Sequence, residues 1–474
     1  MKSTAHHFKA NARAALLDEP LQQALHKMQR GFVDKRAAAL REIPDFDALR
    51  EQGKRIKDHA LAHLDVYLER FDEALTAQGG HVHWALDADA ATEIILDICR
   101  RNGARRVIKS KTMVGEEIDL NTALASAGLE TIESDLGEYI IQLANEPPSH
   151  IIAPAVHKTR ATISSLFDLH HHQRKGQPPR AVGELVNEAR GVLREKFLTA
   201  DVGISGANFL IAETGTVVLV TNEGNADLSA TLPRVHIVIA GIDKIVASLA
   251  DVTPLLRLLG RSATGQAMSA YTTFITGPRR AGERDGPVHY HVVLLDNGRT
   301  RMLGGEFRAM LRCIRCGACL NHCPVYSAIG GHAYGWVYPG PMGSVLTPLF
   351  VGLQASVDLP NACTLNGRCE AVCPVKIPLP ELLRRLRDLQ LEQRLTSRTG
   401  RWALRAWGWL ARRPRLYHAS TRLGVRLLRV FSGKRGAVRR MPLAGGWTAS
   451  RDLPLPAAET FQTAWRRHTA KSPP

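Results

Sequence analysis

Seven of the eight cysteines lie between Cys313 and Cys373, and only Cys99 stands outside that stretch. No other feature constrains the fold as much. The chain has neither the apolar core of a secretory signal nor an unbroken apolar run long enough to cross a bilayer, so it is expected in the cytoplasm. Structural disulfides are not kept there as a rule, and the thiols read as metal ligands. The first group is Cys313-Ile314-Arg315-Cys316-Gly317-Ala318-Cys319-Leu320-Asn321-His322-Cys323-Pro324. Three thiolates at this spacing wrap one face of an iron–sulfur cubane, and the fourth, ahead of proline, turns away to a second cluster. Zinc also takes thiolates two residues apart. Four cysteines closing on proline, with a second such motif downstream, argue against it.

The second group is Cys363-Thr364-Leu365-Asn366-Gly367-Arg368-Cys369-Glu370-Ala371-Val372-Cys373-Pro374, with Asn366 at the place of the second cysteine. Exchange of the last cysteines between motifs then gives unequal sets. Cys313, Cys316, Cys319 and Cys373 make a four-thiolate set fit for [4Fe–4S]. Cys323, Cys363 and Cys369 make a three-thiolate set, for which [3Fe–4S] is preferred. A second [4Fe–4S], its fourth iron taking water or Asn366, is the competing reading.

Charge is uneven. The net charge is +17, yet the stretch from Leu395 to Pro474 carries 17 Lys or Arg against only Asp452 and Glu459. The body is close to neutral, so a negatively charged partner is sought by the tail. Arg398, Arg401, Arg405, Arg412, Arg413, Arg415, Arg422, Arg426 and Arg429 alternate there with Trp402, Trp407, Trp409 and leucines. Charge this dense forbids spanning a bilayer but suits lying on an anionic one, and peripheral membrane contact is expected. Docking on an acidic partner subunit, or plain solvation, is the other reading. Nucleic acid is not expected, because no helix-turn-helix or zinc-finger layout occurs.

Ahead of the cysteines the pattern is that of an α/β protein. Residues 1–78 read as a helical segment and 79–298 as an α/β domain. Strands at His81–Leu86, Arg106–Lys109 and Glu130–Glu133 alternate with helices at Ala88–Asn102 and Leu120–Ala127, which indicates a parallel sheet. Residues 145–200 read as mostly helical around a polar break at 170–179. Buried strands are expected at Thr216–Thr221 and Val235–Ala240, and a late strand at Tyr290–Leu295. Residues 299–391 form the cysteine-rich domain, and 392–474 the basic, Arg/Trp-rich helical tail. His170-His171-His172 reads as exposed surface, the His289/His291 pair as structural, and Cys99 as core. Neither a dinucleotide glycine fingerprint nor a phosphate-binding P-loop is present.

Several segments carry a family resemblance. Ser110-Lys111-Thr112-Met113-Val114-Gly115-Glu116-Glu117-Ile118, Ser134-Asp135-Leu136-Gly137-Glu138-Tyr139, Gly203–Asn208, Ala212-Glu213-Thr214-Gly215-Thr216 and Asn222-Glu223-Gly224-Asn225 resemble the lactate-utilization (LUD) domain. The cysteine region resembles the helical ferredoxin domain of the succinate dehydrogenase iron–sulfur subunit. The whole order resembles the LutB family of bacterial lactate-utilization iron–sulfur proteins. That resemblance implies an α/β fold of the sugar-isomerase and CoA-transferase group (NagB/RpiA/CoA-transferase-like). It also implies an electron-transfer role in the oxidation of L-lactate to pyruvate, beside a LutA-like cysteine-rich protein and a LutC-like LUD protein. The alternative function is an iron–sulfur redox sensor that binds nucleic acid through its tail. Gly203, Gly206, Gly215 and Gly224 are expected at strand ends, where α/β sheets bind ligands. There Glu213 or Glu223 would act as base or nucleophile; the plainer reading is turn geometry and solvated glutamates.

Overall fold

The computed structural model describes residues 3–171, 180–432, 436–439, 441, 448 and 451–471. The chain divides into two units, Met1–Gln390 and Leu391–Pro474.

In the first unit the strands run in chain order as β1 (His81–Ala85), β2 (Arg106–Lys109), β3 (Glu130–Glu133), β4 (Val202–Ser205), β5 (Phe209–Ile211), β6 (Thr216–Thr221), β7 (Val235–Gly241), β8 (Ile245–Val246), β9 (Tyr271–Ile275) and β10 (His289–Leu295). Six of them form one parallel sheet in the order β1-β10-β7-β4-β2-β3. Every residue of β4 and β7 is buried, as apolar strands covered on both faces require. Crossover helices such as Ala88–Arg101, capped by Asp87 on the Ala90 amide (2.9 Å), supply the cover. Helix Asn225–Thr231 lies so close to β4 that a Cβ on Gly203 would meet the Ser229 carbonyl oxygen at 1.8 Å. Gly203 is thus inside the strand for packing, not at its end. From β2 the chain moves outward to β3, whereas from β4 it moves the other way to β7. This reversal opens a crevice at the carboxyl ends of β2 and β4.

A second sheet has the order β8-β5-β6-β9. Its outer strand, Tyr271–Ile275, is not foreseen by the sequence pattern, because exposed and half-buried positions there follow no clean alternation. The reading of 145–200 as mostly helical needs correction. Helices span Arg160–His170 and Val182–Thr199, while residues 145–159 are irregular. Two prolines at Pro147-Pro148 and a third at Pro154 deny that segment helical hydrogen bonds.

Helices Glu19–Leu40 and Phe46–Ala62 do not pack as an appendage. Leu25, Met28 and Leu49 share one core with Tyr326, Tyr334, Tyr338, Leu382 and Leu383 of the cysteine region. The amphipathic face of the N-terminal segment is buried there, which is where its stability comes from.

In the second unit, helices Arg398–Ala411 and Pro414–Ser432 pack against each other. The first buries none of its residues, and Trp402, Trp407 and Trp409 are 69%, 62% and 55% exposed. Among the described residues no helix is long and apolar enough to cross a membrane.

Candidate metal centre and the adjoining cleft

The two cysteine motifs share one backbone design. Arg315 and Leu365, each just before the motif's second ligand position, take left-handed φ values of 58° and 55°. Gly317 and Gly367, two residues on, take 72° and 78°. Left-handed turns are strained for arginine and leucine, and their repetition at matched places shows two copies of one loop. Each loop ends in a short helix, Ala318–Asn321 and Arg368–Val372, and these two helices pack against each other. Cys373 is thereby carried across to the first loop. Cys313, Cys316, Cys319 and Cys373 together line one cavity, whose other walls are Ile151, Ile314, Gly317, Met342, Pro374, Val375, Ile377 and Leu379. Cys323, Cys363 and Cys369 are absent from that lining.

This donor set fits a metal–sulfur group. No carboxylate or imidazole competes in the cavity lining. Burial, with repulsion from neighbouring thiols, pushes Cys316 and Cys319 far above the usual thiol range, and burial pushes Cys373 up to about 11. Buried thiols like these three ionise together only when a cationic centre binds them. Backbone amides already point at sulfur: Ile377 N–H donates to Cys373 Sγ (3.3 Å), Leu365 N–H to Cys363 Sγ (3.3 Å) and Tyr326 N–H to Cys323 Sγ (3.5 Å). Asn366 is exposed, and its Oδ1 accepts from the Arg368 amide at 3.0 Å. An amide oxygen so engaged caps its own turn.

Distant arginines tie the loops down. Arg50 Nε donates to the Cys373 carbonyl (2.9 Å) and Arg36 Nη2 to the Val372 carbonyl (3.0 Å). Arg387 Nη2 donates to the carbonyls of Cys363 (2.6 Å) and Pro360 (2.8 Å). His150, from the irregular 145–159 segment, braces the first loop. Its Nδ1 accepts from the amides of Ile152 and Ala153 (both 3.1 Å), which fixes the proton on Nε2, and Nε2 donates to Asn321 Oδ1 (3.0 Å). Burial, with the charge of Lys111, holds His150 down at about 3, so it is a neutral brace. Beneath the loop, Arg299 pairs with Glu117 (2.9 Å) and Asp243 (2.7 Å), and Tyr338 donates to Glu117 (2.7 Å).

A second cavity of about 230 Å³ occupies the crevice at the carboxyl ends of β2 and β4. Ser110-Lys111-Thr112 follow β2, Gly206-Ala207-Asn208 follow β4, and Asp135, Glu223, Lys244 and Arg315 add charged groups to the lining. Lys244 is 7% exposed, and burial pushes its ammonium down to about 8. Glu223 stands at the rim, where its Oε2 accepts from the Leu136 amide (3.3 Å). Its carboxyl is held above the usual range by partial burial and by the charge of Asp135. Glu213 is elsewhere: it is exposed in the β5–β6 turn, at the opposite end of β6 from Glu223. Gly215, in that turn, has φ 66° and packs on Leu75 rather than on a ligand cleft. The sequence reading missed Lys244, Arg315, Arg36, Arg50 and Arg387. Only Arg315, inside a cysteine motif, carried a local signal.

The lone-histidine readings divide. His171 is buried, not exposed: its Nε2 meets the Tyr139 hydroxyl (2.7 Å) and its Nδ1 pairs with Glu188 (3.0 Å). His172 lies outside the described residues. His291 meets His83 at 3.1 Å, and Cys99 is fully buried in the sheet core.

Comparison with known proteins agrees with this layout. Residues 68–295 match the LUD domain, 309–377 the 4Fe-4S dicluster domain and 385–470 the C-terminal region of lactate utilisation protein B. The cysteine region is therefore an iron–sulfur domain. Lactate utilization protein B of Shouchella clausii is 44% identical over 96% of this chain and 95% of its own length. An uncharacterized electron transport protein, YkgF, of Escherichia coli is 40% identical over 99% of this chain and 98% of its own. Lactate utilization protein B of Bacillus licheniformis is 42% identical over 98% of this chain and 97% of its own. With two cysteine loops of one design set beside an α/β body, and likeness of this extent along the whole chain, the protein belongs to the lactate utilization protein B family.

Proposed function

We propose that this protein is the iron–sulfur electron-transfer subunit of a system that oxidises L-lactate to pyruvate. The observation that carries the reading is the crossing of the motifs: Cys373 of the second joins Cys313, Cys316 and Cys319 of the first around one buried cavity. On this reading those four hold a [4Fe–4S] cluster, and Cys323, Cys363 and Cys369 hold a second cluster, of three irons. The engagement of Asn366 with its own turn supports the three-thiolate count. Such clusters, when bound, pass one electron at a time. The protein's own part is to exclude water from the first cavity with Ile151, Met342 and Leu379, to aim amides at sulfur, and to fix the loops through Arg36, Arg50 and Arg387. The names of the relatives, lactate utilization protein B and an electron transport protein, support the same role. On it, LutA-like and LutC-like proteins are the partners. The parallel sheet with its crevice at the carboxyl edge is in keeping with the sugar-isomerase and CoA-transferase group of folds.

The tail, in this proposal, rests on anionic membrane. From Arg398 to Ser432 it has nine arginines and no acid, with exposed tryptophans among them. Flotation with anionic liposomes tests it: full-length protein floats at low salt, and a chain ending at Leu391 does not. The central experiment is co-purification with neighbouring operon products under anaerobic conditions. Addition of L-lactate then bleaches the cluster absorbance; an unchanged spectrum in the complete complex would refute the electron-transfer role.

A further inference from the structure

The cleft at the carboxyl ends of β2 and β4 has chemistry that the cysteine domain does not explain. Three cations line it, Lys111, Lys244 and Arg315. Among the described residues, none of the three side chains makes a hydrogen bond or an ion pair. Arg315 Nη1 is buried without a partner, and its guanidinium lies 4.6 Å from the centre of the Tyr338 ring. Lys244 is more than nine-tenths buried. A buried ammonium with no counter-charge in contact is costly, and a bound anion removes that cost.

The neighbouring acids are already engaged. Asp135 Oδ1 accepts from the Glu138 amide (3.0 Å), Glu223 Oε2 accepts from the Leu136 amide (3.3 Å), and Asp243 pairs with Arg299 (2.7 Å). Within the lining, three cations face two carboxylates, Asp135 and Glu223, so one positive charge is left over. The remaining lining mixes amide and hydroxyl groups (Asn208, Thr221, Asn222) with apolar walls (Met113, Ile152, Val220). At about 230 Å³ the space is smaller than the roughly 300–1,000 Å³ typical of drug-sized ligands. It suits a small metabolite and excludes a dinucleotide.

We propose that this cleft binds a small organic monocarboxylate, held at its carboxylate by Lys111, Lys244 and Arg315, with Glu223 at the rim facing its hydroxyl or carbonyl group. That the carboxylate is a 2-hydroxy or 2-oxo acid rests on the proposed function. The site touches the metal centre. Ile151 is a wall of both cavities, and Arg315 lies between Cys313 and Cys316. An anion on Arg315 adds negative charge beside the first cysteine set, so its binding disfavours adding an electron there.

The test uses the full-length, cluster-loaded protein without partners. Calorimetric titration is run with L-lactate, pyruvate, acetate and inorganic phosphate, and the paramagnetic spectrum of the reduced first cluster is recorded with and without each. L-Lactate or pyruvate is expected to bind at least tenfold more tightly than acetate or phosphate and to alter that spectrum. Lys244→Met and Lys111→Met should each weaken binding at least tenfold while iron content stays unchanged. Glu223→Gln should weaken L-lactate or pyruvate more than acetate. Phosphate binding as well as pyruvate would overturn the carboxylate assignment, and no anion binding at all would overturn the site. Either result leaves the lactate-dependent bleaching of the complete complex to be judged by itself, so the two readings fail separately.

Discussion

The two cysteine loops have the same backbone and different surroundings. The first loop, from Cys313 to Cys319, is covered by Ile151, His150 and Tyr338 and shares a wall with the α/β cleft. The second loop, from Cys363 to Asn366, lies nearer solvent: Thr364 and Asn366 are exposed and Cys363 is half-buried. Repetition of Arg315 and Leu365 in left-handed turns shows that local sequence sets the loop, whereas the packing around it sets the role. The first loop shares a wall with the crevice, whereas the second is turned toward solvent. Burial and the hydrogen bonds to sulfur are the levers by which a protein tunes such centres.

The strongest way to break this comparison is Cys373→Ser. It lies in the second motif, yet it should remove the four-iron centre of the first, leaving the paramagnetic signal of the second; Cys369→Ser should do the reverse. Iron analysis with spectroscopy on both variants decides, and loss of the second centre alone in Cys373→Ser would mean that the ligands do not cross.

Next in size is the support under the first loop. Arg299→Met strands Glu117 and Asp243 in the interior and should cost about 3–5 kcal/mol in denaturant unfolding. Asp243 also gives this variant a pH signature. Although burial opposes it, Arg299 holds the Asp243 carboxyl below the usual aspartate range in the folded state. A depressed folded value stabilises the protein above the unfolded value of about 4, and the gain is lost as pH falls through the folded one. The natural protein should therefore lose stability below about pH 4, and Arg299→Met should have lost that contribution already at pH 7.

Asn366→Cys sharpens the comparison by making the second loop chemically equal to the first. Iron content should rise from about seven to about eight per chain, with loss of the near-isotropic signal of an oxidised three-iron centre. An unchanged count of about eight in both proteins would show that Asn366 does not leave a corner vacant. The smallest effect is expected from Arg387→Ala, which frees the carbonyls of Pro360 and Cys363. It should cost about 1–3 kcal/mol and loosen the second centre without touching the first, as read from the rates of iron loss to a chelator.

Much of this arrangement is legible along the chain, because cluster ligands and parallel strands leave local marks. The x2 and x3 spacings, the proline after each last cysteine and the alternation of strand and helix from His81 to Glu133 are such marks. The cleft is only half legible. Glu223 follows a glycine-flanked strand end and could be picked out, but the same rule also picked out Glu213, at the other end of β6. Nothing local distinguishes those two glutamates. Lys244, after β7, becomes part of the cleft only because β7 lies beside β4 in the sheet.

The sequence by itself determined the chemistry: which sulfurs are available, that one motif lacks a thiol, and that the tail is basic. Those are covalent facts, or patterns with periods of a few residues. Tertiary structure alone decided what surrounds them. Arg50 meets the Cys373 carbonyl, His150 meets Asn321 and Arg315 enters the α/β cleft across separations that no local pattern encodes. The physical reason is that such contacts are chosen by burial. A helix or loop settles where its apolar face is covered, and the polar groups carried with it then find whichever partners that packing leaves within reach.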